Sequence, residues 1–536
     1  MIRAELNRKN FEYDVHSLVK AFYPGEDVQV CYIEDLSGAA CADPSQDSGT
    51  EKRTQHGASE ADRGFTVQHN ETERAADVHM VPECVRILFS GDMEAEGQEP
   101  DRRASICVRI LPDGRRAAQE ETAEYEMSLD RKEVKNVLKR LLYRVLRDYS
   151  GQTLPWGNLT GIRPTKIPMA LLEAGWKNTE IAQYMRETYY TSNEKTALAI
   201  AIANRERHIL KDINYKNGYS LYVGIPFCPS ICLYCSFSSS PLHLWRDRVD
   251  DYLDALCREI DYASEAFAGK ELNTVYIGGG TPTTLEPYQL ERLLTKLEQC
   301  FDYSRLLEFT VEAGRPDSIT REKLEVLRAH GISRISINPQ TMNQKTLDLI
   351  GRKHTVEETK EAFHLARSLG FDNINMDLIV GLPGEEKPEV EHTMQELRLL
   401  DPDSITVHSL AIKRAARLRM FRDEYKEMTF TNNSEIMDMT AHYAREAGHS
   451  PYYLYRQKNM AGNFENVGYV KEGKAGIYNI LIMEEVQSIL ALGAGASTKM
   501  VWAKDRIERI ENVKDIRNYI ERIDEMIERK RSGMHE

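Results

Sequence analysis

Tyr219-Ser220-Leu221-Tyr222-Val223-Gly224-Ile225-Pro226-Phe227-Cys228-Pro229-Ser230-Ile231-Cys232-Leu233-Tyr234-Cys235-Ser236-Phe237 is the stretch on which the reading of this 536-residue chain turns. Residues 220–225 form a short apolar run that stops at Pro226, and they read as a buried strand. Cys228, Cys232 and Cys235 follow at once, spaced Cys-x3-Cys-x2-Cys. Thiolates this close converge on one centre when the loop wraps around it, and soft sulfur donors suit zinc or an iron–sulfur cluster. A structural zinc site closes with four ligands, and an electron-transfer [4Fe–4S] cluster also takes four cysteines. No fourth ligand stands nearby, and Phe237 is where a further cysteine would be expected. Three cysteines on a cubane leave one iron open to a substrate. The alternative is three structural thiols sharing a loop. Against it, Cys31, Cys41, Cys84, Cys107, Cys257 and Cys300 are scattered without framework spacing.

Downstream of this loop, apolar strands and helical patterns alternate. Strands are expected at 220–225, 274–277, 307–312, 334–337, 373–379 and 404–408, with helices near 247–267, 287–300, 321–330, 357–369 and 388–400. Such alternation predicts a parallel sheet, and six units rather than eight predict an open, partial (β/α)6 barrel. The unusual residues gather at strand ends. Cys228 follows the first strand, and Gly278-Gly279-Gly280-Thr281-Pro282-Thr283 the second. Glu312 ends the third, Asn338 and Gln340 the fourth; Asp377 lies in the fifth, and His408 ends the sixth. Parallel barrels build their sites on this carboxyl-terminal face. The triple glycine lets backbone approach a ligand closely, and without a following Gly-Lys-Ser/Thr it is no P-loop. Glu312 and Asp377 are carboxylates in otherwise apolar strands, so each needs a partner or a ligand. A salt bridge to Arg334 or Arg352 is the plain alternative.

The fold class expected is α/β: the partial barrel at 218–425, an amino-terminal α+β domain at 1–150, a helical linker region at 151–217 and a mainly helical extension at 426–536. Residues 36–80 are polar and poor in bulky apolar side chains, and read as a disordered insertion. Tyr452–Tyr455 and Tyr478–Met483 read as strands, 484–492 and 513–529 as helices. The loop Trp156-Gly157-Asn158-Leu159-Thr160-Gly161-Ile162-Arg163-Pro164-Thr165-Lys166 reads as a connector whose Arg163 caps a helix or meets a carboxylate, or as a segment touching substrate. A net charge of −14 argues against broad nucleic-acid binding. No apolar run approaches membrane-span length. The cysteine usage and the lack of a secretory signal fit a cytoplasmic protein with reduced thiols.

The cysteine loop, Gly-Gly-Gly-Thr-Pro-Thr and the (β/α)6 plan resemble a radical S-adenosylmethionine (SAM) enzyme. Tyr222 before the loop, Ile225-Pro226-Phe227-Cys228, Arg334-Ile335-Ser336-Ile337-Asn338-Pro339-Gln340, Ile350-Gly351-Arg352 and the run from Asp377 to Gly384 resemble the oxygen-independent coproporphyrinogen III oxidase family. The Leu159–Lys166 segment is most similar to its HemZ-type, coproporphyrinogen dehydrogenase branch.

The resemblance implies that Cys228, Cys232 and Cys235 hold a [4Fe–4S] cluster whose open iron takes the methionine part of SAM. Gly279, Gly280 and Thr281 would lie along that methionine. Tyr222, Tyr234, Glu312, Gln340, Arg352, Asp377 and Ala411 would contact one of two SAM molecules, with Tyr222, Glu312, Gln340 and Asp377 as the catalytic set. It further implies a 5′-deoxyadenosyl radical that takes a hydrogen from a propionate side chain, so that coproporphyrinogen III becomes protoporphyrinogen IX in haem biosynthesis. A small electron-transfer protein such as flavodoxin or ferredoxin would supply the electron. A substrate with four carboxylates needs cations, for which Arg163, Lys166, Arg315, Lys413 and Arg414 are the candidates. Phe237 departs from the best-known members, which carry a further cysteine there; relatives lacking it include haem-carrying chaperones and enzymes that act on haem itself.

Overall fold

The computed structural model describes residues 1–33, 81–90, 103–112, 118–411, 413, 416–420, 428–457, 464–503 and 506–534. The insertion read at 36–80 lies outside them. The chain divides into two compact units, Met1–Gly161 with Trp176–Ala197, and Ile162–Gly175 with Leu198–Glu536. The stretch read as a linker is therefore shared between the units. The stretch read as a terminal extension is part of the second.

In the first unit, β1 (Ile2–Leu6), α1 (Glu12–Phe22), β2 (Val28–Tyr32), β3 (Cys84–Ser90), β4 (Arg103–Leu111), β5 (Gln119–Glu126) and α2 (Arg131–Ser150) build a five-stranded sheet of order β2-β1-β3-β4-β5. Its strands alternate buried and exposed residues, so one face is apolar. Val15, Leu18 and Phe22 of α1 and Leu138, Leu141 and Leu142 of α2 join Ile87, Phe89, Ile106 and Val108 in one core. Asp130 caps α2 by accepting from Glu133 N–H, and Gly151 at φ +73° ends it. Three helices follow in the chain, α3 (Lys166–Glu173), α4 (Asn178–Tyr189) and α5 (Asn193–Leu210).

The second unit, which already takes in α3 and most of α5, continues with β6 (Gly218–Ile225), β7 (Phe227–Cys228), β8 (Ser240–Pro241) and α6 (Val249–Ala266). Then come β9 (Glu271–Gly279), α7 (Pro287–Cys300), β10 (Glu308–Glu312), α8 (Arg321–Ala329), β11 (Arg334–Ser336), α9 (Gln344–Leu349), α10 (Val356–Ser368), β12 (Ile374–Val380), α11 (Lys387–Leu400) and β13 (Ser404–Ser409). The six strands β6 and β9–β13 lie side by side in chain order and all parallel, which is the partial (β/α)6 barrel expected.

The remaining elements are α12 (Arg417–Met420), α13 (Ser434–Glu446), β14 (Ser450–Tyr455), β15 (Asn466–Val470), α14 (Ile477–Glu484), β16 (Ser488–Leu492), β17 (Ser497–Ala503), β18 (Arg506–Glu511), α15 (Ile516–Glu521) and α16 (Ile523–Gly533). They complete both edges of the sheet: β15 and β14 add antiparallel beyond β13, while β16 adds parallel to β6 and carries β17 and β18. Helix α14 is the crossing between the two edges. Two local expectations fail here. Residues 478–483 are helical rather than extended, and Ser488–Leu492 is a strand rather than part of a helix. Both are short apolar runs buried in the unit, and such runs carry no period that separates helix from strand. Among the described residues, no helix is long and apolar enough to cross a membrane.

Candidate active site

Along β10 and β11 apolar and polar residues alternate, and β12 and β13 follow the pattern as far as Leu378 and His408. Apolar residues such as Val311, Ile335, Met376 and Val407 are buried on one face. The other face carries polar side chains, bonded to one another across strands. Near the amino ends, Arg334 Nη1 donates to Ser404 Oγ and Asn373 Oδ1, both at 2.9 Å. In the middle, Asn375 Oδ1 accepts from Ser404 Oγ at 3.0 Å and Thr406 Oγ1 at 3.2 Å, and its Nδ2 donates to Ser336 Oγ at 3.3 Å. At the carboxyl ends stand Glu312, Asn338, Asp377 and His408. The barrel therefore has a polar lumen whose hydrogen bonds are closed below and carboxylate-rich above.

Glu312 accepts from the Tyr276 hydroxyl and from Asn338 Nδ2 at 3.1 Å. Burial, reinforced by the charge of Asp377, pushes its carboxyl up to about 6. Asp377 accepts from Asn375 Nδ2 at 2.7 Å and faces His408 Nε2 at 3.5 Å. Burial raises its carboxyl, but the His408 contact and charge, with Asn375 and Thr406, outweigh burial and leave it below the ordinary range. No arginine or lysine among the described residues lies within ion-pair distance of either carboxylate, so the salt-bridge alternative does not hold. Gln340, at φ +67°, is clamped by backbone bonds to Asp377 O and from Ile379 N, each 2.9 Å. The rings of Tyr222, Tyr276 and Tyr478 stack in a column, centroids 6.2 and 4.5 Å apart. Tyr276 and Tyr478 were missed in the sequence: neither belongs to a motif, and only the alternation of β9 pointed inward.

The cysteine loop is pinned from three sides. Leu233 N donates to Ile350 O at 2.9 Å, Leu418 N to Leu233 O at 3.1 Å, and Ser230 Oγ to Gly351 O at 3.0 Å. Thr281 Oγ1 reaches Cys228 Sγ at 3.5 Å. Arg352 donates to the Tyr234 hydroxyl at 3.0 Å and to the carbonyls of Gly314 and Asn338 at 2.8 Å. Ala411, half-buried, lies just past β13. The glycines serve the fold as well as any ligand. A Cβ on Gly280 would stand 2.5 Å from Phe227 O, because Gly280 N and Thr281 N, both at 2.7 Å, bond the backbone beside the loop.

Among the described residues, no three His, Cys, Asp or Glu side chains gather as tightly as a single metal ion requires. The three loop thiols nonetheless feel one another. Burial first, and then the neighbouring sulfurs, push Cys235 up to about 11, and burial pushes Cys228 up too. A bound multivalent cation would offset that cost for the thiolates of Cys228 and Cys235, and the three loop sulfurs are the soft, three-point donor set that an iron–sulfur cluster takes.

The expected substrate cations are mostly engaged. Arg163 pairs with Glu485 and donates to Met483 O at 3.2 Å, and Lys166 meets the same carboxylate at 3.1 Å. Lys499 joins them at 3.1 Å. Arg163 and Lys166 thus hold the end of α14, which is the connector reading of that loop. Arg315 is buried, paired with Asp317 at 2.7 Å and donating to Ser230 O at 3.3 Å and Cys232 Sγ at 3.6 Å; it braces the cysteine loop and offers no rim charge. Arg414 lies outside the described residues. Lys413 is exposed and sits over the ring of Phe237, itself 73% exposed, at 5.9 Å.

A family model described as the radical SAM superfamily matches residues 222–397, which sets the barrel among radical SAM proteins. The chain is 41% identical over 404 residues to the oxygen-independent coproporphyrinogen-III oxidase-like protein HemZ of Bacillus subtilis (strain 168), taking in 74% of this chain and 81% of that one. It is 38% identical over 195 residues to heme chaperone HemW of the same organism, and 34% over 192 residues to oxygen-independent coproporphyrinogen III oxidase of Escherichia coli (strain K12). Each of these matches takes in 36% of this chain, and 51% and 42% of those relatives. The chain belongs to the HemZ-type, oxygen-independent coproporphyrinogen-III oxidase-like family. The cofactors of radical SAM proteins are a [4Fe–4S] cluster and SAM.

Proposed function

We propose that this protein is a cytoplasmic oxidoreductase that converts the propionates of coproporphyrinogen III to vinyl groups by oxygen-independent oxidative decarboxylation, giving protoporphyrinogen IX. The observation that carries the reading is the meeting of the thiol loop, the Gly279–Thr281 edge and the carboxylates Glu312 and Asp377 at one end of a polar lumen. When bound, the cluster and SAM supply one-electron cleavage of a sulfonium and hydrogen-atom abstraction from an unactivated carbon. Cys228, Cys232 and Cys235 hold the cluster, and Gly279, Gly280 and Thr281 border the methionine part of SAM. Glu312 and Asp377 accept from amino and hydroxyl groups. Tyr222, Tyr234, Gln340, Arg352 and Ala411 complete the contacts to one of two SAM molecules. Lys413 beside Phe237 is the cation we assign to a substrate carboxylate. Each propionate loses a β-hydrogen atom, then carbon dioxide and an electron to an acceptor. A small electron-transfer protein such as flavodoxin or ferredoxin reduces the cluster. Reduced, cluster-loaded protein given SAM and coproporphyrinogen should release carbon dioxide and form the divinyl product; no release with a competent reductant and acceptor rejects the reading.

A second reading, a haem-delivery protein that keeps the cluster, is favoured by Phe237 in place of the further cysteine and by the likeness to heme chaperones. Tight, stoichiometric haem binding without decarboxylation would select it.

A further inference from the structure

Glu259 on α6 and Lys530 on α16 are both 0% exposed. Lys530 Nζ and Asn512 Nδ2 each donate to Glu259 Oε1 at 2.7 Å, while the Tyr519 hydroxyl and Gly493 N–H donate to Oε2 at 2.6 and 2.8 Å. Asn512 also accepts from Lys530 at 2.7 Å and donates to Gly493 O at 2.8 Å. Among the described residues, every hydrogen-bond partner of Glu259 thus comes from the last part of the chain.

This network touches both ends of the cysteine loop. At the near end, the Tyr252 hydroxyl donates to Gly224 O at 2.6 Å and accepts from Ala494 N at 3.1 Å. The Tyr252 ring packs edge-on against Phe227, the residue before Cys228, with centroids 5.3 Å apart, and lies tilted against Tyr519 at 5.2 Å. Gly493 lies at φ +100°, where a Cβ would stand 2.5 Å from Gly224 O. At the far end, Gly495 packs on Ser238, where a Cβ would come within 3.3 Å of the serine's own, and Gly495 N donates to Val513 O at 2.8 Å.

A buried ion pair is a poor device for stability alone, since apolar residues of the same volume serve as well or better. What it adds is direction, because each of its hydrogen bonds fixes a backbone or side-chain position. We propose that α15, α16 and the Glu259–Lys530 network form a clasp that sets the spacing of Cys228, Cys232 and Cys235. These are positioning residues, and the proposal rests on the reading of the three cysteines as cluster ligands.

The test pairs Glu259→Gln with Lys530→Met, which removes both charges at near-constant shape. Arg367→Met, which breaks the half-buried pair with Asp403, serves as the stability control. In cluster-free protein held well below its melting transition, the iodoacetamide reaction rates of the three loop thiols are read by mass spectrometry. The reconstituted cluster is read by iron content and by its electron paramagnetic resonance spectrum. The double variant should change the thiol rates several-fold and alter the cluster spectrum, while Arg367→Met changes neither. A lowered melting temperature with unchanged thiol rates and spectrum would overturn the clasp. Should the double variant fail to fold, Tyr519→Phe, which removes one hydroxyl, carries the same comparison. If wild-type protein takes up no iron, the ligand reading fails separately, and the thiol rates still decide the clasp.

Discussion

Glu312 is a carboxylate whose ionisation the barrel opposes. Burial and Asp377 push it up to about 6, while Tyr276 and Asn338 pull the other way by donating to it. The proposed role needs the ionised form, so SAM affinity should fall as pH drops through about 6. Tyr276→Phe removes a donor that favours the anion. Its loss of affinity should begin at higher pH, and at neutrality equilibrium dialysis should show SAM bound about 5- to 150-fold more weakly, the range for a lost buried partner worth about 1–3 kcal/mol. Glu312 contributes to folding with the opposite sense. Its folded value lies above the ordinary one, so that contribution is full below about 4.3 and lost as pH rises towards about 6. Glu485 behaves conversely. Burial opposes its charge, but Arg163, Lys499 and Lys166 together hold it well below the ordinary range. Its stabilisation is present above about 4.3 and lost as pH falls further. Arg163→Ala should therefore move acid unfolding to higher pH, which thermal denaturation across an acid series reads out. Among the thiols, Cys235→Ala should lose most of the iron, whereas Cys257→Ala, on α6, should keep it; equal losses would remove the three-cysteine assignment.

At the scale of elements, the cysteine loop and the six strands were legible because apolar runs bounded by Pro and Gly alternate with helical patterns. The polar lumen was also written in the sequence, as Glu308-x-Thr310-x-Glu312, Arg334-x-Ser336-x-Asn338, Asn375-x-Asp377 and Ser404-x-Thr406-x-His408. A period of two over three to five residues is easily read as a plain buried strand once its apolar half is seen. What no local pattern shows is pairing across distance. The cations of the Leu159–Lys166 segment look like substrate ligands until Glu485, more than three hundred residues on, is placed beside them. The triple glycine similarly reads as a ligand cradle, yet backbone of the chain itself already excludes a Cβ at Gly280. Gly280→Ala should cost about 1–3 kcal/mol by overpacking and reduce iron uptake; denaturant melts and iron analysis measure the two effects. Wild-type values in both would show that the Phe227 backbone yields freely.

For the molecule as a whole, the last segment of the chain is part of the barrel unit. Strands β15 and β16 cover the open edges of β13 and β6. Unpaired parallel edges invite association with other chains, so a chain ending at 425 should be insoluble or aggregated. Size-exclusion chromatography and circular dichroism of that truncation would show it, and a monomeric, cluster-binding product would refute the role given to the edge strands.

The crossing made by α14 has a consequence in time. Strand β6 and its thiol loop leave the ribosome about 260 residues before β16, which pairs with β6; at 5–20 residues per second the gap is on the order of 13–50 s. Throughout that interval the loop lacks the edge strand behind it, and until residue 418 is made it lacks its Leu418 tether as well. Iron delivered during synthesis would meet thiols on an unfinished scaffold, so stable loading is expected only once β16 is in place.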